Sequence, residues 1–321
     1  MRQGMTTVAL IVALGVIFAV GDRSIGDQEG AGGFVAEARR ELWSLRLPIG
    51  AVSGFWSFGR VEPRVDEAVP PRLVEAEFTF RRSDFRRAID ILFSIGVSQE
   101  TLREYTPELW VMEPQPWKPN SFTGQLIGSE CWSLRSPKSA DWVGVKFLQG
   151  NTLVRITYYP LGDWVLTRVP VSDEEIAFVE DIARLAEAKV IAWELWGTAG
   201  IAVTLKADGK TIRLPATPSG DKDYLVPVEM LIGRLGGETS WDAKAQTMAG
   251  KLRGKQLALT AGRRDFQADG RQLSLDVAPE VVKGRLVGPV GLLEVVFGTH
   301  IDWQRKPGEV PQGVVGLGPG G

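Results

Sequence analysis

Two stretches of the chain read alike: VPVEMLIGRLGGETSW at residues 226–241 and GPVGLLEVVFGTHIDW at residues 288–303. At an offset of 62, Pro227 aligns with Pro289, Val228 with Val290, Leu231 with Leu293, Gly236 with Gly298 and Trp241 with Trp303. Upstream of each stretch lies a matching turn, Ala207-Asp-Gly-Lys210 and Ala268-Asp-Gly-Arg271. Asp-Gly between apolar alternations is a strong hairpin signal, because both turn residues must take positive φ. Pro at a helix start and Gly just past its end is the expected asymmetry of a short helix. Each copy therefore predicts a β-hairpin, a loop, a Pro-initiated short helix, a Gly stop and a strand carrying Trp. Pro227, Gly236, Trp241, Pro289, Gly298 and Trp303 are its structural residues. Two copies are too few for a solenoid, so the pair predicts one compact domain over residues 200–304.

Tyr224-Leu-Val-Pro227, Leu235-Gly-Gly237 and Ser240-Trp-Asp-Ala-Lys244, with Asp269-Gly-Arg271, Ala278-Pro279 and Gly284-Arg-Leu-Val287 in the second copy, resemble the copper amine oxidase N-terminal-like domain. The resemblance covers about residues 201–304. It implies a sheet wrapped on a helix, a "stalk" unit often duplicated in bacterial surface proteins, no active site, and a spacer or docking role. Gly288 splits the usual Val-Pro of the second copy. The position after the Pro-apolar pair, commonly Arg in the family, holds Glu229 and Gly291. Amine oxidation itself is excluded, since the resemblance places that chemistry on three His in a separate catalytic domain and this chain has one His.

Working towards the N-terminus, residues 73–196 read as a Trp-rich α+β domain of unknown role, so the chain as a whole is α+β. Leu73–Phe80 is strand-like. Ser83 reads as the cap of a helix running to Ile95, with Phe85, Ile89, Leu92 and Phe93 on one face and Gly96 as its stop. Trp142–Tyr159 predicts a hairpin turning at Gln149-Gly-Asn151. Ser172-Asp-Glu-Glu175 is a capping box, followed by Ile176, Val179, Ile182, Ala183 and Ala186 at helical spacing.

At the chain start, Val8–Val20 is unbroken apolar residues and Gly, preceded by Arg2 and followed by Asp22. This is the pattern of an export signal; it is short for a membrane span, which wants ~20 residues. Residues 1–21 are thus a signal peptide, cleaved after Gly21, or a retained membrane anchor. Residues 22–72 read as a tether, with one short helix over Val35–Leu45 carrying Trp43 on its apolar side. Residues 305–321, rich in Pro and Gly, read as a disordered tail.

Composition narrows the chemistry. With 37 basic and 39 acidic residues the net charge is −2, which argues against a nucleic-acid partner. One His (His300) and one Cys (Cys131) supply neither a zinc nor a three-His copper site unaided, and no metal or cofactor is expected. A Cys131 nucleophile needs a basic partner, and only His300 is available, in the other domain. His300 reads as part of a solvated strand face beside Asp302. Carboxylates Glu104, Glu108 and Glu113 lie near two tryptophans without any sign of pairing.

The binding candidates are Trp110 and Trp117, flanked by four prolines that imply an exposed loop, and the basic run Lys251, Arg253, Lys255 with Arg263 and Arg264. The first suits stacking on sugars. The second suits an anionic surface, or else is a solvated sheet edge. The expected function is a non-catalytic extracytoplasmic scaffold or adaptor binding cell-wall polymer or another envelope protein. It is membrane-anchored through its N-terminal segment, or secreted. The alternative is a cell-envelope hydrolase with its active site in residues 73–196.

Overall fold

The computed structural model describes residues 41–48, 55–58, 64–65, 73–82, 86–96, 98–100, 102, 118–119, 127–135, 142–161, 169–220, 223–307 and 309–317. The chain divides into two compact units, residues 1–190 and 191–321, and the fold is mostly β with few helices.

The first unit is an eight-stranded sheet with one long helix. Its strands are β1 (Phe55–Phe58), β2 (Arg64–Val65), β3 (Leu73–Arg82), β4 (Arg87–Gly96), β5 (Lys118–Pro119), β6 (Glu130–Arg135), β7 (Val143–Gln149) and β8 (Thr152–Pro160). Their order is β1-β3-β4-β8-β7-β6-β5, with β2 also on β3. Helix α1 is Asp173–Trp196; the division between the units falls inside it.

One sheet face is continuous apolar surface. Across the strands, Phe78 faces Ile91, Ile91 faces Ile156 and Ile156 faces Val145, all buried. On α1 the predicted stripe, Ile176, Val179, Ile182, Ala183 and Ala186, is likewise buried. Full burial of each larger aliphatic contributes ~1.5–3 kcal/mol.

Three expectations are corrected in this unit. Residues 87–96, expected as part of a helix capped by Ser83, are the central strand β4. The sequence Arg-Ala-Ile-Asp-Ile-Leu-Phe-Ser-Ile-Gly fits a 3.6-residue stripe, but β4 is paired on both sides and buried on both faces. A doubly buried strand is apolar nearly throughout, so its period of two is hidden. Ser83 and Phe85 lie outside the described residues. Within residues 22–72, expected as a tether, β1 and β2 pair with β3, and Leu42, Leu45 and Leu47 are buried. Of the expected helix over Val35–Leu45, residues 41–43 are helical. Leu42 takes the buried side, while Trp43 is 44% exposed and touches Phe78 edge-on at 6.2 Å.

The hairpin and the capping box are found as predicted. β7 and β8 turn at Gly150-Asn151. The Ser172 hydroxyl accepts from the Glu175 N–H (3.2 Å), and the Glu175 carboxylate accepts from the Ser172 N–H (2.8 Å).

The second unit holds two sheets and two short helices. Its elements are β9 (Ile201–Ala207), β10 (Lys210–Ser219), β11 (Asp223–Pro227), α2 (Val228–Arg234), β12 (Glu238–Asp242), β13 (Thr247–Leu252), β14 (Lys255–Thr260), β15 (Asp265–Ala268), β16 (Arg271–Ser274), β17 (Glu280–Val282), β18 (Arg285–Pro289), α3 (Leu292–Phe297), β19 (Asp302–Gln304) and β20 (Gln312–Val315). One sheet runs β17-β18-β11-β10-β9-β20-β19, the other β12-β13-β14-β15-β16. Both copies of the sequence repeat feed a single core: Val226, Val228, Leu231 and Ile232 from the first and Leu286, Val290, Leu292 and Leu293 from the second belong to one buried cluster.

The tail over residues 305–321 is also corrected. It supplies β20, antiparallel to β19 and parallel to β9, and buries Val315 and Leu317. Its Pro and Gly content masks a strand of only four residues, and one of its two partners, β9, lies over a hundred residues away in sequence (Gln312 pairs with Thr204).

Candidate functional site

The two predicted Asp-Gly turns exist. Asp208 and Gly209 have φ of 48° and 76°, and Asp269 and Gly270 of 49° and 74°, as a type I′ hairpin requires. Two further turns of this kind, Arg253-Gly254 and Lys283-Gly284, were not legible as Asn-Gly or Asp-Gly signals. The alternating strands around an X-Gly pair were the available clue.

These turns engage part of the basic run. Arg253 forms an ion pair with Asp208, and Asp208 also accepts the Leu317 N–H at 3.1 Å. Lys255 reaches Asp269 at 3.2 Å, which also accepts the Gln256 N–H at 2.8 Å. The N–H of Gln256 and the Lys255 ammonium hold the Asp269 carboxyl below the usual aspartate range. Lys251 lies apart, exposed on β13. Arg263 and Arg264 are exposed beyond the end of β14.

The repeat residues build the fold. Pro227 closes β11 and forms the N-cap of α2, and Pro289 closes β18 two residues before the Gly291 N-cap of α3. Both therefore stand just before the helices rather than in the first turn. Gly236 and Gly298 take positive φ after α2 and α3, the left-handed stop expected of glycine. Strands β11 and β18 pair with Val226 opposite Gly288, so that Leu225 meets Pro289 and Pro227 meets Val287. Equivalent residues thus lie symmetrically about that central pair.

The two departures from the family's usual Arg have partners across this pairing. Glu229 of α2 binds Arg285 of β18 at 2.9 Å. In the corresponding place, the Gly291 N–H donates to Asp223 of β11 at 3.1 Å. A Cβ at Gly291 would lie 3.0 Å from that carboxylate oxygen, close enough that the Asp223 side chain would have to shift. Burial pushes the Asp223 carboxyl above its ordinary range, against the Tyr224 and Gly291 N–H groups that favour the anion.

The two repeat tryptophans differ. Trp303 packs on Tyr224, ring centroids 4.5 Å apart, and lies against Gly313 of β20. The Arg305 guanidinium lies over the Tyr224 ring, 4.9 Å from its centroid. Trp241 is 38% exposed. His300 is on the surface with its Nδ1 2.7 Å from Glu294, rather than joined to Asp302. The donor set does not fit copper: the one His stands alone, and among the described residues no group of three or more His, Cys, Asp or Glu is placed to hold a metal ion.

In the first unit, polar side chains anchor the helix to the sheet. Tyr158 donates to Glu175 at 2.6 Å, and Arg87 lies 3.4 Å from the same carboxylate while donating to the Val169 carbonyl at 3.0 Å. Burial raises the Glu175 carboxyl, but Tyr158, the Ser172 N–H and Arg87 outweigh it and leave it below its usual range. Cys131 is buried on β6, and burial pushes its thiol up to about 11. At neutral pH it is a protonated, poor nucleophile. Trp110, Trp117, Glu104, Glu108, Glu113 and residues 1–40 lie outside the described residues. No helix among the described residues is long and apolar enough to cross a membrane.

The open face of the five-stranded sheet carries a groove of about 480 Å³. Its rows follow from the register. Glu238 faces Lys251, which faces Gln256. In the next row, Ser240 faces Ala249, Ala249 faces Ala258 and Ala258 faces Gln267. A third row holds Thr247 and Thr260, hydroxyl to hydroxyl at 2.8 Å. The opposite face of the same strands, with Met248, Leu257, Leu259 and Phe266, is core. The groove therefore has a floor of Ala249 and Ala258, with Glu238, Lys251 and Gln256 along one side and Ser240 and Gln267 at its ends.

No curated protein and no solved structure matches the chain. Residues 203–311, a segment confined to the second unit, match the family model of the copper amine oxidase N-terminal domain, and over that segment the chain is similar to this family.

Proposed function

We propose that the chain is a non-catalytic scaffold or adaptor that works outside the cytoplasm of a bacterium, held at or released from the membrane by residues 1–21, and binds cell-wall polymer or another envelope protein. The observation that carries this reading is the use of the second unit's repeat residues. Pro227, Gly236, Pro289 and Gly298 end strands and helices, and Trp303 packs on Tyr224. They do not converge on reacting groups. A duplicated stalk-like unit of this kind presents surfaces and leaves chemistry to others. The apolar run Val8–Val20 supports export, and the single thiol, Cys131, suits an oxidising compartment.

Retention of the purified full chain on isolated peptidoglycan tests the binding half of this reading. Co-sedimentation that survives high salt is the expected result. Absence of the chain from both the peptidoglycan pellet and the envelope fraction of cells expressing it would overturn the proposal.

A further inference from the structure

We infer that the groove on the open face of β12–β15 is a binding site for a neutral, hydroxyl- and amide-bearing polysaccharide strand. This deepens the proposed function, on which it rests, by giving the polymer a place and a chemistry.

The charges argue for a neutral ligand. Glu238 and Asp269 stand against Lys251 and Lys255, and Lys255 is paired with Asp269. The wall is therefore close to electrically balanced, and an anionic or cationic polymer gains no net attraction there. The hydrogen-bonding groups argue for a polyhydroxyl chain. Within one groove stand two side-chain amides (Gln256, Gln267), the Ser240 hydroxyl, carboxylates and an ammonium, which together both donate and accept.

The shape agrees. Ala249 and Ala258 are a low floor running across the strands. Four strands at ~4.8 Å spacing give a trough ~14 Å long, open at β12, which is exposed over all five residues. An extended chain can lie in it and continue past the edge. Trp241 alternates with Ser240 on β12 and so projects from the other face; it takes no part.

The test is isothermal titration of the full chain with chitohexaose and with cellohexaose, both neutral, and with poly-glutamate as an anionic contrast. Binding of a neutral oligosaccharide, little changed by salt, is expected. Filling the floor with Ala249→Trp should weaken it ten-fold or more, as should Gln256→Ala combined with Gln267→Ala. The second variant removes donors without adding bulk, and unchanged urea midpoints show that both fold. Trp241→Ala should leave affinity within two-fold. No binding of either neutral oligosaccharide at millimolar concentration, equal binding by the Ala249→Trp protein, or preference for poly-glutamate would each overturn the inference. Retention on peptidoglycan that survives Ala249→Trp would sink the groove and leave the scaffold reading standing. Failure of the unsubstituted chain to bind either neutral oligosaccharide, together with its absence from both the peptidoglycan pellet and the envelope fraction, would sink the two together.

Discussion

The two repeat copies share the same Pro, Val, Leu, Gly and Trp positions and end in different surroundings. In the second copy, Trp303 is covered by Tyr224 and by Gly313 of β20. In the first, Trp241 sits on the edge strand β12 with much of its ring in solvent. The cover comes from β20, which pairs with β9 and β19 and has no counterpart beside β12 among the described residues. A second contrast lies at the dyad-like pairing of β11 with β18. One side uses a partly exposed ion pair, Glu229 with Arg285; the other uses a half-buried carboxylate, Asp223, on a glycine N–H. A repeated sequence thus specifies the elements, while the neighbours assign each copy its role.

The most severe way to break this comparison is to remove the cover. Ending the chain after Gln304 deletes β20 and the buried side chains of Val315 and Leu317. The burial lost amounts to roughly 3–6 kcal/mol. Urea unfolding followed by Trp fluorescence should show the second unit destabilised by that order, with exposure of Trp303.

The next step compares the two tryptophans directly. Trp303→Ala should cost on the order of 2–4 kcal/mol, below the full-burial range because the ring is half-buried, whereas Trp241→Ala should cost about 1 kcal/mol or less. Equal losses in paired urea titrations would show that the cover from β20 is energetically idle.

The two contacts across β11 and β18 should separate by a smaller margin. Asp223→Ala leaves the Gly291 N–H without its carboxylate and should cost about 1–3 kcal/mol. Glu229→Ala breaks an ion pair whose side chains are about a third exposed and should cost about 0.2–1 kcal/mol. Salt should shrink the second effect and leave the first.

The mildest contrast is in pH dependence, and it sets the two units against each other. The Asp223 carboxyl is raised by burial, so the folded state holds its proton above the unfolded pKa. Its contribution to stability therefore falls as pH rises through that window. Glu175 is lowered, burial being outweighed by Tyr158, Ser172 and Arg87. Its contribution is present above the ordinary glutamate range and is lost as pH falls through the folded value. Asp223→Asn and Glu175→Gln should change the slope of stability against pH in opposite senses, measured as urea midpoints across the carboxylate range. Slopes that move in the same sense would contradict the environments described.

How much of this was legible in advance varied with the range of the interaction involved. The Asp208-Gly209 and Asp269-Gly270 turns, the glycine stops at Gly236 and Gly298, the capping box at Ser172 and the β7–β8 hairpin are local devices, each satisfied within a few residues. β4 was misread because strand pairing on both sides buried both of its faces and erased the alternation that marks a strand. β20 and β1 were missed because a four-residue strand carries little signal until its partner is known. The groove escaped for a related reason. Lys251 was noticed as a member of a basic run, but the run divides in space: Arg253 and Lys255 turn to Asp208 and Asp269, and Lys251 joins Glu238, Gln256 and Gln267 from three other strands.

By itself, then, the sequence determined the repeated motif, its turns and helix ends and the family resemblance of the second unit. Turn and cap geometries depend on φ, ψ and hydrogen bonds between near neighbours, and these are written in consecutive residues. Only the tertiary structure decided which repeat Trp is covered, which acids are buried, where the tail pairs and which side chains share the open face of β12–β15. Those outcomes depend on strand register between distant segments, and a shift of one residue would turn every side chain of a strand to the opposite face.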